Sequence, residues 1–179
     1  LKLIPLCDSE GNIVDVADVL KGHILPVAEP ELSGNELKYV EECIKTNWIS
    51  SIGKYVRIFE NMFEEIHQGT TAIAVSNGTA ALHLALVSLG ISKGDEVIIP
   101  DLTFAATVNA VIYTGAQPVL CEVDPQTWCI DIAEAEKLVS KKTKAIIPVH
   151  LYGHPCNIEA VIDFALKHNL YIIEDCAES

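Results

Sequence analysis

The sequence predicts a three-layer α/β/α fold around a mostly parallel sheet, on two observations. From residue 70 onward, short and nearly continuous apolar runs recur between segments with helical periodicity. Runs of that kind describe strands buried on both faces, and the helices between them supply the crossovers that parallel pairing requires. In addition, Gly69, Gly90, Gly94 and Asn169 fall at the joints between these segments, where chain reversals favour such residues.

Residues 1–32 hold Gly11-Asn12, Lys21-Gly22 and the prolines Pro5, Pro26 and Pro30 among brief apolar bursts, which predicts an N-terminal arm or small hairpin. Ser33, with Glu36 three residues on, predicts a capping box opening a helix whose Leu37, Val40 and Ile44 form one stripe and whose stop lies near Asn47. A loop over 48–53 leads to a second helical pattern with Val56, Phe59, Phe63 and Ile66 on one face, ended by Gly69. Residues 33–69 therefore read as a helical segment and 70–179 as an α/β region of repeated strand–helix units.

Within that domain the first strand is expected at 71–75, followed by a helix at 79–89 with Leu82, Ala85, Leu86 and Leu89 on its apolar face. Val97 to Ile99 gives a strand ending at Pro100, then a helix at 104–113 and a strand at 119–123. Asp131 with Glu134 makes a second capping box for a short helix through Leu138 and Val139. A fourth strand covers 145–149, with Pro148 signalling an irregular end. Asn157 caps a helix carrying Ile158, Val161, Ile162 and Ala165, Asn169 is its left-handed stop, and 170–173 is the fifth strand.

At 179 residues, half of them apolar and 21% charged, with mean hydropathy +0.30, the chain can fold as one compact domain with an arm. Twenty-five acidic residues face twelve basic ones, eleven lysines and Arg57, for a net charge of -13. A nucleic-acid surface lacks its electrostatic footprint here. A single phosphate can nonetheless be held by backbone N–H groups at a helix end. No apolar run approaches the roughly 20 residues that span a bilayer, and no basic region precedes one at the start, so no membrane partner and a cytoplasmic location are expected. Six cysteines without a CxxC pair predict reduced core thiols. A start at Leu1, and an end directly after an apolar strand, suggest a chain cut at both ends.

Ligands of parallel sheets gather beyond the carboxyl ends of the strands, which directs attention to residues 76–80, 100–104, 150–154 and 174–179. Ser76-Asn77-Gly78-Thr79-Ala80 opens a helix with small residues, and serves either as a phosphate cradle or as an ordinary cap. It has neither GxGxxG nor GxxxxGK[ST]. Phe104 either stacks on a planar ligand or fills the core. Asp175 could hold a protonated ring nitrogen, a metal or a helix end. His150 and His154, interrupted by Gly153 and flanked by Pro148 and Pro155, make a poor ligand pair, and no metal site is expected.

Five blocks in order carry a resemblance: P-V-A-E-P-E-L-S-G-N-E at 26–36, N-W-I-S-S-I-G at 47–53, V-S-N-G-T-A-A-L-H-L-A-L at 75–86, P-D-L-T-F-A-A-T-V-N-A at 100–110, and I-I-E-D-C-A-E-S at 172–179. Together they resemble the pyridoxal-phosphate-dependent sugar aminotransferases of the DegT/DnrJ/EryC1/StrS family. The resemblance implies the fold type I transferase architecture with an incomplete large domain, and pyridoxal 5'-phosphate as cofactor. It implies that Gly78, Thr79 and Ala80 hold the cofactor phosphate, Phe104 stacks on its ring and Asp175 pairs with the pyridinium nitrogen. Glu178 falls where relatives place Gln or His near the ring oxygen. Trp48, Ser50 and Ser51 match a loop that lies near the sugar nucleotide, often beside a partner subunit's site, so a homodimer is implied.

The arm and the W-I-S-S-x-G form most resemble members that use glutamate to aminate the C4 ketone of a nucleotide-linked keto sugar, GDP-4-keto-6-deoxymannose. The family's Schiff-base lysine is expected beyond Ser179, so no catalytic residue is assigned within the chain and no turnover by the chain alone is expected. Lys167, inside a helix, and Lys141, Lys142 and Lys144, in a linker, match no catalytic position. Three other readings are carried: a dehydratase of the same family, a non-catalytic fragment that self-associates through a sheet edge and the arm, and a nucleotide-linked oxidoreductase, which the missing glycine fingerprint disfavours.

Overall fold

The computed structural model describes residues 30–179, so the expected arm lies outside the described residues except for its last three positions. The chain divides into two units, residues 1–62 and 63–179.

In the first unit, α1 spans Glu36–Lys45 and α2 begins at Lys54, running to Ile66 across the boundary. The capping box expected at Ser33 does not form. Asn35 is the N-cap and makes no side-chain capping bond, while the Ser33 N–H donates to Glu31 Oε1 at 3.0 Å. With the helix starting later than Ser33 requires, its hydroxyl is out of step with the third helical N–H. Asn47 takes the left-handed conformation just past the end of α1, where the stop was expected. The stripe of Leu37, Val40 and Ile44 is exposed.

In the second unit, the strands β1 (Glu96–Pro100), β2 (Gln117–Cys121), β3 (Thr143–Ile146) and β4 (Tyr171–Ile172) form one sheet in the order β2-β1-β3-β4. Every pairing in it is parallel. The connecting helices are α4 (Ala105–Tyr113), α5 (Ile132–Leu138) and α6 (Ile158–His168), and α3 (Gly78–Ser88) precedes β1.

Because side chains alternate along a strand, successive residues of β1 feed opposite cores. Val97 and Ile99 pack with Leu82 and Leu86 of α3 and Ala110 and Val111 of α4. Ile98 packs with Ala135 of α5 and Val161, Phe164 and Ala165 of α6. β3 continues the alternation, with Ala145 in the first core and Ile146 in the second. These two cores on opposite faces make the three layers. A fully buried side chain such as Phe164 contributes about 1.5–3 kcal/mol relative to exposure.

Two expectations about strands are corrected. Residues 71–75 have strand-like composition but belong to no strand among the described residues, so the sheet has four strands and not five. Ile73 and Val75 are exposed, and the Ala72 N–H donates to Glu64 Oε1. The strand expected at 119–123 sits two residues earlier, taking in Pro118. That proline is tolerated because β2 is an edge strand and needs donors on one side only.

The two caps read from side chains hold. Asp131 accepts from the N–H groups of Ala133 and Glu134 at 2.7 and 3.4 Å, and Asn157 accepts from Ala160 at 3.2 Å. Glu134 does not complete its capping box; its carboxylate pairs with Lys137 instead. Asn169 is left-handed at φ 53°. β3, expected at 145–149, begins two residues earlier and stops before Pro148, the irregular end that proline signalled, and pairing resumes beyond it as an isolated parallel bridge between Val149 and Asp175.

Candidate cofactor site

That bridge fixes the first functional candidate. The Asp175 N–H donates to Pro148 O at 2.9 Å, and the His150 N–H donates to Asp175 O at 3.1 Å. The backbone is thereby clamped on both sides at the carboxyl end of the sheet. The side chain is buried: Oδ2 accepts from the Thr107 hydroxyl at 2.8 Å and Oδ1 from the Ala177 N–H at 3.2 Å. One donor on each oxygen leaves lone pairs on the carboxylate, which lines a cavity of about 400 Å³.

The same cavity is lined by Asn77, Gly78 and Thr79 at the start of α3, by Thr103 and Phe104 before α4, and by Glu178. Phe104 is the N-cap of α4, with φ -67° and ψ 145°, and is 73% exposed. It is therefore no core residue. Gly78 and Thr79 offer backbone N–H groups with no acceptor among the described residues, as the first turn of a helix leaves them. The Ala80 N–H, in contrast, already donates to Asn77 Oδ1 at 2.9 Å, and Ala80 does not line the cavity. The cap reading and the cradle reading thus both apply, to different donors. A Cβ built on Gly78 would meet nothing within 4 Å, so no packing inside the chain requires glycine there. Free donors at a helix end, room for close approach and a buried carboxylate across the cavity suit a phosphorylated ring that bears a protonated nitrogen.

The Glu178 side chain is engaged. Its Oε2 accepts the Tyr152 N–H at 2.7 Å, and Tyr152 and Gly153 are both left-handed, at φ 52° and 77°. A bulky residue in that region is strained, and the carboxylate holds the turn in place. Tyr152 also makes an edge-to-face contact with Trp128, another left-handed aromatic, with ring centroids 5.9 Å apart.

His150, Glu174 and Cys176 bring potential ligand atoms within 4.8 Å of one another, while His154 is no member of that group. His150 Nδ1 accepts the Cys156 N–H at 3.0 Å, which places the ring proton on Nε2, where it donates to Glu174 Oε2 at 3.1 Å. A metal at Nε2 would have to displace that proton. The arrangement is that of a hydrogen-bonded pair under the strand ends.

Trp48 and Ser50 line a different cavity, of about 620 Å³, wholly within the first unit and shared with Ile49, Ile52, Gly53 and Tyr55. Ser51 is exposed and is not part of its lining. The turn is tight at Gly53, whose N–H donates to Ser50 O at 3.0 Å.

Thr103 and Thr107 were given no role from the sequence. The signal available was a threonine at position 107 among the apolar Ala106, Val108 and Val111 of one helix, because a hydroxyl on a core-facing turn needs a partner. No helix among the described residues is long and apolar enough to cross a membrane.

Residues 30–179 match the model of the DegT/DnrJ/EryC1/StrS aminotransferase family. The chain is 52% identical over 155 residues to GDP-perosamine synthase of Escherichia coli O157:H7, covering 87% of this chain and 43% of that protein. It is 51% identical over 155 residues to GDP-perosamine synthase of Caulobacter vibrioides, covering 87% and 42%. The chain thus spans less than half the length of these relatives. Among solved structures it is similar to the aminotransferase from Psychrobacter cryohalolentis, with TM-score 0.78 and 38% identity over 86% of this chain and 40% of that one. It is also similar to NtdA from Bacillus subtilis with bound cofactor PMP, with TM-score 0.74 and 37% identity over 78% and 32%.

Proposed function

The chain belongs to the DegT/DnrJ/EryC1/StrS aminotransferase family, and from that premise we propose that it carries the phosphate- and ring-holding half of a pyridoxal 5'-phosphate site. The whole protein, on this reading, moves an amino group from glutamate to a nucleotide-linked 4-keto-6-deoxy sugar, with GDP-4-keto-6-deoxymannose as the substrate that the similarity to GDP-perosamine synthases favours. The single observation that carries the reading is the convergence of a helix N-terminus, an exposed phenylalanine and a buried carboxylate on one cavity at the sheet's carboxyl edge.

When bound, the cofactor supplies a protonated ring into which electrons drain as the amino group is transferred. Each residue then has a distinct task. The Gly78 and Thr79 N–H groups hold the phosphate, where the helix end adds its positive partial charge. Phe104 covers one ring face. Asp175 accepts the ring N–H and keeps that nitrogen protonated, and its clamped backbone fixes where the proton sits. Orientation is the main contribution, because a ring held at three points presents one face to an incoming substrate. Glu178 shapes the ring-oxygen side through the Tyr152 turn. Ala80 contributes through the cap and the close approach of its turn. Trp48, Ser50 and Ser51 serve the sugar nucleotide, in a homodimer.

None of the described lysines lines the cavity; Lys54, Lys137 and Lys167 are exposed and paired with Glu42, Glu134 and Glu136. We therefore assign no covalent lysine among the described residues and expect no turnover from the chain alone. Mixing the chain with pyridoxal 5'-phosphate, reducing with borohydride and mapping by mass spectrometry should give scattered, substoichiometric lysine adducts. A single stoichiometric adduct on one lysine would overturn that part of the reading.

A further inference from the structure

Thr107 is fully buried and its hydroxyl lies 2.8 Å from Asp175 Oδ2, across 68 positions of sequence. A second hydroxyl, of Thr103, lies 2.9 Å from the Thr107 oxygen. A hydroxyl has one proton to give, and a carboxylate can only accept. With the Thr107 proton committed to Asp175, Thr103 must donate to Thr107, so the three groups form a directed chain from Thr103 through Thr107 to Asp175. Each donation polarises the next, which strengthens the final bond to the carboxylate.

We propose that Thr107 is the positioning residue that fixes the direction of the Asp175 carboxylate, and that Thr103 primes it. The proposal rests on the proposed role of Asp175 toward a ring nitrogen. Three features give it weight beyond packing. Thr107 occupies the first turn of α4, whose N-cap is Phe104, and its N–H donates to Phe104 O at 3.2 Å. One helix turn therefore aligns the residue that covers the ring with the residue that aims the carboxylate. Among the described residues the Asp175 carboxylate accepts one other hydrogen bond, from the Ala177 N–H at 3.2 Å, so Thr107 supplies the shorter of its two anchoring bonds. Lastly, Thr103 lines the same cavity as Asp175 and its hydroxyl backs the Thr107 oxygen at 2.9 Å, so the chain of donors begins at the cavity wall.

The test uses the full chain with Thr107→Val, which keeps the shape and removes the donor, and Thr107→Ser, which keeps the donor. In the cofactor-free wild type, proton NMR should show an exchange-protected hydroxyl proton correlated with the Thr107 methyl. That signal should move in Asp175→Asn, and an equivalent serine hydroxyl should appear in Thr107→Ser. Pyridoxamine 5'-phosphate labelled with ¹⁵N in the ring should bind the wild type and Thr107→Ser with the ring nitrogen protonated. Thr107→Val should bind it about 10- to 100-fold more weakly, as loss of a hydrogen bond to a charged group implies, with the nitrogen resonance moved toward the neutral form. An unprotected hydroxyl, a signal indifferent to Asp175→Asn, or a Thr107→Val variant with wild-type affinity and nitrogen shift would each overturn the proposal. Failure of the wild type to bind pyridoxamine 5'-phosphate would count against the functional reading, while the cofactor-free spectra would still decide the relay.

Discussion

Replacing Gly78 by Ala separates what the fold needs from what the site needs. Gly78 is the first residue of α3, and a Cβ there would meet no atom within 4 Å. The backbone is helical, so alanine fits without strain, and the loss of freedom in the unfolded chain should stabilise the protein by about 0.4–1 kcal/mol. For a domain of this size that corresponds to a melting temperature higher by roughly 1–4 °C. The added methyl, however, stands where an incoming phosphate must approach the Gly78 and Thr79 N–H groups. Disrupting one such charge-assisted bond costs about 1.5–3 kcal/mol, so the dissociation constant for pyridoxamine 5'-phosphate should rise about 10- to 100-fold. Thermal unfolding by circular dichroism and binding by calorimetry measure the two quantities on one sample. Unchanged affinity with raised stability would refute the cradle, and a marked fall in stability would refute the claim that nothing within the chain packs there.

Three further outcomes follow from the same contacts. Asp131→Ala removes the acceptor for two N–H groups at the start of α5 and should cost about 1 kcal/mol in urea unfolding, with Asp131→Asn largely neutral. Burial pushes the Cys121 and Cys156 thiols up to about 12, and the Cys129 thiol beside Cys156 adds to that shift. Folded thiols then stay protonated while unfolded ones ionise, so stability should be intact below about pH 9 and fall between there and about pH 12, less steeply in Cys121→Ala; a flat denaturant midpoint over that range would contradict this. Burial of the sulfur and then the neighbouring Glu174 charge also push the Cys176 thiol up, so this exposed residue should react slowly with iodoacetamide near neutral pH, and faster in Glu174→Gln.

What could be read from sequence divides along physical lines. Local devices were legible: the caps at Asp131 and Asn157 and the left-handed Asn169 depend on residues within four positions, and all three hold. The helices of the α/β unit were legible for a related reason, since amphipathic spacing is set by the core each one covers. The strand expected at 71–75 was not, because a ladder belongs to a pair of segments and composition describes only one of them. β2 was misplaced for the same reason: Pro118 looks like a strand breaker until its place at the sheet edge is known. Ser33 reads as a cap because the box pattern weighs a glutamate at the right spacing, whereas the chain caps its helix two residues later, at Asn35, and that glutamate turns toward Gly34.

The site shows the same split. Gly78, Thr79, Phe104 and Asp175 could be nominated from the expected strand ends and Glu178 from the family resemblance, and the structure brings all five to one cavity. Thr107 could not be nominated with a role, since its partner lies 68 residues away and only the α4 and β4 connections bring them together. The Ala80 N–H, by contrast with those of Gly78 and Thr79, already donates to a neighbouring asparagine, a partner that the motif alone did not reveal.

Where a phosphorylated ring binds tests the proposed site most directly. Pyridoxamine 5'-phosphate is the right probe, because its amine cannot condense with surface lysines. Titrated into the ¹⁵N-labelled chain, it should shift the amide resonances of Asn77, Gly78, Thr79, Phe104, Asp175 and Ala177 together, saturably and with one dissociation constant. Shifts confined to other parts of the chain, or none at all at millimolar ligand, would contradict it.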